Sequence, residues 1–159
     1  MEKQPISRQG FCELQKRLCH LKEVDRPDIL AAIQRARELG DLSENADYKT
    51  AKDVQRQIDS EIRRIESITN NANIIDIDKL CGDKVMFGAT VVVQDENGKR
   101  FNYKILAECE ADMQKGIISI TSPVARGFVG RCVGDVCVIN TPNGEKEFNI
   151  VEIRFGNEI

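Results

Sequence analysis

At 159 residues the chain is long enough for one medium domain or two small ones with their own cores, and too short for a cofactor enzyme of several domains. A formal charge of −3 excludes a protein that coats nucleic acid by bulk electrostatics, because such binding is driven by counterion release to an excess of Lys and Arg. Residues 1 to 75 carry 13 basic and 13 acidic side chains and residues 76 to 159 carry 10 and 13, so any nucleic-acid contact must come from a local patch.

The apolar runs, such as Val91–Val93 and Ile117–Ile118, are far shorter than the roughly 20 residues of a membrane-spanning helix. Met1–Pro5 has no secretory h-region, so a cytoplasmic protein with no membrane partner is expected. Cys12, Cys19, Cys81, Cys109, Cys132 and Cys137 form no C-x-x-C pair and read as reduced thiols, several of them facing a core. His20 beside Cys19 has no closely spaced partner set of the kind a zinc site needs.

In chain order, Phe11, Leu14, Leu18 and Leu21 fall at helical spacing and are followed by Ile29, Leu30, Ile33, Ala36 and Leu39, an apolar stripe along one face. Pro27 lacks an amide donor and crowds the preceding turn, so this helix should kink or restart near Asp25-Arg26-Pro27 while remaining one bent element. A second stripe, Ala51, Val54, Ile58, Ile62, Ile65, Ile68 and Ala72, has charged residues and Gln on its other faces. Two such stripes joined by a short polar segment predict an antiparallel coiled-coil hairpin. With about 25 residues per arm it would reach roughly 40 Å.

The helical signal fades at Asn70-Asn71-Ala72-Asn73, and Ile74–Lys79 reads as a crossover into a second unit whose period is two. Asn97-Gly98 predicts a hairpin turn between Val91–Val93 and Phe101–Ala107, and Pro142-Asn143-Gly144 predicts another between Val136–Ile139 and Phe148–Ile153. Ile117–Ile120 supplies a further strand. Ser122-Pro123 reads as the N-cap and first residue of a short helix that carries Val124, Ala125, Phe128 and Val129 and ends at Gly130. The expected fold class is therefore α+β, with a helical hairpin over residues 1 to 75 and a small antiparallel sheet with one short helix over residues 80 to 159.

The bend between the long helices holds Asp41, Glu44 and Asp47, and Gly40 allows the first helix to end in a left-handed conformation. Two readings of Asp41 and Glu44 stand open. Their spacing fits a capping box at the start of the second helix, where carboxylates also meet a favourable helix dipole. They also supply hard oxygen ligands of the kind Mg²⁺ takes together with waters, too few to hold it without a partner's ligands.

Arg26-Pro27-Asp28-Ile29, the run Ala36-Arg37-Glu38-Leu39-Gly40-Asp41-Leu42-Ser43-Glu44-Asn45-Ala46-Asp47-Tyr48, and Ala51-Lys52 resemble the hallmark stretch of the Gre family of transcript-cleavage factors. Phe87–Val91, Glu110-Ala111-Asp112 and Ser122–Gly127 resemble that family's second domain. The match runs in order over nearly the whole chain and is nearest to the GreA type. The resemblance implies a coiled coil inserted through the secondary channel of bacterial RNA polymerase and an FKBP-like domain docked near the channel's rim. It implies a transcription elongation factor, not itself an enzyme, that stimulates the polymerase's own cleavage of the 3′ end of backtracked RNA.

By the same resemblance Asp41 and Glu44 help hold an Mg²⁺ shared with the polymerase active site, with no cofactor stably bound to the free chain. Ser43 occupies a variable position and receives no metal role. Asn45 and Tyr48 would orient the tip or the RNA end. Arg37, Lys49 and Lys52, with Arg35 and Arg56, would bind phosphates of the nascent RNA without sequence preference, the alternative being a solvated face paired with Glu38 and Asp53. Ser122, Pro123 and Arg126 match a polymerase-contacting segment, and Ser122-Pro123 alone is equally a helix start.

Two other readings compete. A Gre-like inhibitor would occupy the channel without stimulating cleavage, and retention of both Asp41 and Glu44 favours the stimulating type. An FKBP-like chaperone or prolyl isomerase would want more aromatics than no Trp, 2 Tyr and 6 Phe. The free protein is expected to be a monomer, since no third helical stripe asks for a partner.

Overall fold

The computed structural model describes residues 3–40 and 45–156. The chain divides into two compact units, one built on Phe11–Ala72 and the other on Lys3–Gly10 together with Asn73–Ile159. Among the described residues no helix is long and apolar enough to cross a membrane.

The first unit is a helical hairpin. One arm is α1 (Arg8–His20), a π-helical turn at Leu21–Asp25 and α2 (Arg26–Glu38); the other is α3 (Ala46–Asn70). The interruption expected near Pro27 is this π turn, in which the Arg26 amide donates to the Leu21 carbonyl, five residues back. The extra residue does two things. It lets Pro27, which has no amide to give, enter at the first turn of α2. It also re-phases the stripe. From Leu21 an α-helix would bring residues 28, 32 and 35 to the seam, whereas the inserted residue rotates it by roughly 100° and brings Ile29, Ile33 and Ala36 there instead. Ile33 and Ala36 are buried and Ile29 is half-buried.

The seam's center is Leu21, Ile62 and Ile65, with Leu14, Leu18 and Ile58 packed on them. Leu30 and Leu39, expected in the stripe, face solvent instead, at 48 % and 72 % exposed, because Leu30 lies off the re-phased seam and Leu39 lies past the end of α2. Across the arms, Arg17 grips Glu61 through two nitrogens (2.9 and 3.2 Å), Arg26 meets Asp59 at 2.8 Å and Lys22 meets Glu66 at 2.6 Å. These pairs are exposed, worth at most about 1 kcal/mol each, and they select register more than they stabilise.

The second unit holds a five-stranded sheet ordered β5-β4-β3-β7-β6, from β3 (Thr90–Gln94), β4 (Arg100–Leu106), β5 (Ile117–Ser119), β6 (Val136–Thr141) and β7 (Gly144–Arg154). Both expected hairpins are present. At the first, the Asp95 carboxylate accepts from the Asn97 and Lys99 amides at 2.9 Å each, and Gly98 takes φ +82°. The sheet is mixed, not purely antiparallel. β5 lies parallel to β4, with Lys104 opposite Ile117 and Leu106 opposite Ser119, because the chain between them travels back through two short 3₁₀ turns before re-entering. An apolar run such as Ile117–Ile120 carries no sign of strand direction.

The core between this sheet and α4 (Pro123–Phe128) comprises Val85, Val91, Val93, Ile105, Ile118, Ala125, Phe128, Cys137, Ile139, Phe148 and Ile150. A separate two-stranded ribbon pairs β1 (Gln4–Ser7) with β2 (Ala72–Ile75), and the strand at Gln4–Ser7 had no counterpart in the sequence pattern.

Ser7 closes a polar knot in this unit. Its hydroxyl accepts from the Gly10 amide at 3.0 Å, as an N-cap side chain does, and donates to the Glu110 carboxylate. Glu110 also accepts from the backbone amides of Ser7 (3.3 Å) and Ala107 (3.1 Å). In a capping box the third helical residue would supply that carboxylate; here the residue is Gly10, and Glu110 fills the space where a Cβ would stand.

Candidate functional site

The hairpin's bend begins where α2 ends. Leu39 caps it in a tight turn, its amide donating to Ala36 O at 3.2 Å, and Gly40 takes φ +121°, a conformation open to glycine alone. Asp41, Leu42, Ser43 and Glu44 lie outside the described residues, so the structure places neither proposed metal-presenting carboxylate.

On the far side α3 starts at Ala46, and its N-cap is Asn45, in an extended conformation with its Oδ1 accepting from the Tyr48 amide at 3.0 Å. This corrects the capping-box alternative, which put Asp41 at the cap and Glu44 three residues on. Asn45 takes that position because α3 begins at Ala46, two residues past Glu44, and Asn45 itself is extended, at φ −85° and ψ 100°. Asp47 then sits in the first turn, where a carboxylate favours the dipole.

Asn45 does a second job. Its Nδ2 donates to the Ala36 carbonyl at 2.6 Å, so one carboxamide ties the last turn of α2 to the first turn of α3. Tyr48 is half-buried on the same rung, and the Arg37 guanidinium stands 5.9 Å from its ring centroid, within cation–π reach. Of the basic set, Lys52 donates to Gln55 at 3.0 Å and Arg56 is paired with Asp53 at 2.8 Å. Arg35, Arg37 and Lys49 are exposed and make no ion pair with a described residue. The solvated-face alternative thus describes Arg56, while Arg37, Lys49 and Lys52 remain beside the bend on the two arms.

In the second unit Ser122 caps α4, its hydroxyl accepting from the Ala125 amide at 3.1 Å and donating to Ser119 O at 2.6 Å. Both capacities of the hydroxyl are used, so Ser122 shapes the segment, while Pro123 and Arg126 lie exposed above the buried anchors Ala125 and Phe128. Among the described residues no group of three or more His, Cys, Asp or Glu could hold a metal ion. His20 is instead 3.4 Å from Asp25. Burial raises the Cys137 thiol's pKa, while Cys12, Cys19 and Cys81 are exposed.

Two family models cover this arrangement, "Transcription elongation factor, N-terminal" over residues 4–74 and "Transcription elongation factor, GreA/GreB, C-term" over residues 80–155. The chain belongs to the GreA/GreB family of transcription elongation factors. It is 47 % identical to the transcription elongation factor GreA of Methylobacterium nodulans over 98 % of this chain and 99 % of that protein. It is 44 % identical to the GreA of Anaeromyxobacter sp. over 99 % and 96 %. Among solved structures it is similar to the GreA factor homolog 1 protein of Thermus thermophilus, with 25 % identity, 97 % and 99 % coverage and a TM-score of 0.45.

The first family model spans the hairpin and the second spans the mixed sheet. The resemblance gives Asn45 the task of orienting the tip or the RNA end, and its capping role is signalled by its place immediately before the first helical residue of α3. In the second unit, the contact of Glu110 with Ser7 has no local signal, because the two are 103 residues apart.

Proposed function

We propose that this elongation factor binds bacterial RNA polymerase, enters its secondary channel with the hairpin and stimulates the polymerase's Mg²⁺-dependent cleavage of the 3′ end of backtracked RNA. The carrying observation is the base of the bend, where Asn45 both caps α3 and ties it to α2 beside Arg37, Tyr48 and Lys49. The hydrolysis belongs to the polymerase, and the chain contributes no nucleophile or base of its own.

Asp41 and Glu44 fit an Mg²⁺ shared with the polymerase by donor chemistry, as hard carboxylate oxygens too few to cage the ion by themselves. The ion, when bound, lowers the charge barrier at the attacked phosphate. The rest of the site binds and orients. Arg37, Lys49 and Lys52 take phosphates of the nascent RNA, and Tyr48 offers a ring face beside them. Pro123 and Arg126, on the helix that Ser122 caps, contact the polymerase.

The test is direct. Stalled, backtracked elongation complexes are incubated with the protein and Mg²⁺, and released 3′ RNA fragments are resolved on a gel. Fragments above the polymerase-alone control are expected, and their absence refutes the reading.

A further inference from the structure

The two edges of the five-stranded sheet are finished differently. At β5 the edge is closed by its own chain, since Ile117 and Asp112 exchange both backbone hydrogen bonds at 2.9 Å each. At β6, among the described residues, no strand lies beyond. The Ile150 amide donates to the Asp135 carbonyl at 3.0 Å, which sets the alternation of the antiparallel pair. Cys137, Ile139 and Thr141 turn their amides and carbonyls to β7, whereas Val136, Val138 and Asn140 turn theirs away from it.

Proteins blunt an exposed edge with Lys, Pro, a bulge or an inward charge. Val136–Thr141 has none of these: it is uncharged, contains no Pro and pairs with β7 without a register shift. Cys137 and Ile139 lie in the core, while Val136 and Val138, on the opposite face, stand 52 % and 54 % exposed.

From this edge we infer that β6 pairs antiparallel with β6 of a second copy of the chain, about a twofold axis at Val138, in one sheet continuous through both copies. The strand is its own complement. About that axis Val138 meets Val138 of the second copy and Val136 meets its Asn140, so the outward amides and carbonyls bond one another and no like charges face across the seam. The acid beside Val138 is Glu147, opposite it in β7. Its counterpart in the second copy stands three strand spacings away, about 14 Å, beyond the screening length of ~8 Å at physiological salt. A charged partner strand would find no charge on β6 to match it. Six residues a side is small against the roughly 20–30 of a standard interface, so the pair forms at micromolar concentrations and above. The helical stripes ask for no partner; the sheet's edge does.

Sedimentation equilibrium of the full chain from ~1 µM to ~1 mM tests the pairing. A reducing agent is present, because Cys12, Cys19, Cys81 and Cys109 are exposed. The mean mass is expected to rise from that of one chain toward that of two and to stop there. Val138→Lys and Val138→Glu each set like charges across the axis and should weaken association at least ~10-fold. Both should melt as the parent does, since the side chain they replace faces solvent. An equimolar mixture of the two variants should associate again, because lysine then meets glutamate.

A chain that stays monomeric to ~1 mM overturns the proposal and leaves the edge to a strand of some other protein. A dimer that both variants leave intact overturns it too, by placing the interface elsewhere. Variants that dissociate but do not recover on mixing refute the axis at Val138, and a mass that climbs past two chains refutes twofold closure.

Discussion

Replacing Gly10 by alanine tests whether the carboxylate of Glu110 fills the space a side chain would take. A Cβ built on Gly10 falls within contact of the Glu110 carboxyl group and 2.7 Å from its Cγ, so the side chain must swing away. Swinging removes the acceptor from the Ser7 hydroxyl and from the Ser7 and Ala107 amides, and Ser7 is only 3 % exposed. Three stranded donors at ~1–3 kcal/mol each, less ~1 kcal/mol returned by alanine's better helix propensity, leave a net loss of at least about 2 kcal/mol. Urea unfolding followed by Tyr103 fluorescence in a Tyr48→Phe background reads this unit alone, since the chain has no Trp and 2 Tyr. In a Glu110→Ala background the same Gly10→Ala change should cost nothing or stabilise by up to ~1 kcal/mol. An equal loss with Glu110 already gone would refute the steric argument, and a loss under ~0.5 kcal/mol with Glu110 present would show the donors to be satisfied elsewhere.

Asp41→Asn and Glu44→Gln should each melt and bind polymerase as the parent does yet lose most fragment release on the gel assay; full activity in both would remove the metal role. The hydrogen bond and charge of Arg17 hold the Glu61 carboxyl below its usual pKa. A depressed pKa contributes stability above the unfolded value of about 4.3 and loses it as pH falls through the folded one, so the small melting difference between parent and Glu61→Gln should be present at pH 7 and close in acid. Pro27→Ala should keep the π turn in backbone chemical shifts, whereas deleting Val24 should unpair the arms and lower the melting temperature strongly. A π turn that vanishes with Pro27→Ala would make the proline its cause.

The parts of the fold legible in the sequence are those whose signal is local. Asp95 through Gly98 names its own hairpin, because the turn needs a side-chain acceptor, which Asp95 supplies, and a positive φ, which Gly98 supplies. Ser122-Pro123 names its own helix start for the same reason. What was illegible depended on partners far along the chain. Gln4–Ser7 is four residues long, too short for a period, and is a strand only because Ala72–Ile75 lies beside it. β5 runs parallel to β4 because of how the intervening turns return the chain. At the site, the spacing of Asp41 and Glu44 imitates a capping box, and only the observed start of α3 gives the cap to Asn45.

The first arm holds one signal that spacing does carry. Leu14, Leu18 and Leu21 step by four and three, and a continuous α-helix would bring the next seam residue in the α2 segment to position 28, which is Asp28 and exposed. The apolar residue stands at 29, and 33 and 36 follow it in phase, so the sequence contains one residue too many for an α-helix between Leu21 and Ile29. A π turn absorbs one residue without breaking the helix, and Leu21–Asp25 is where it does so. Pro27 is then permitted by the turn and does not cause it. The consequence reaches the bend. Ala36, whose carbonyl accepts from the Asn45 side chain, lies in the seam against α3 only in the shifted phase, so a residue removed near Val24 would rotate that acceptor off the seam. The contact between the end of α2 and the start of α3 is thus set in part by an insertion more than ten residues before it.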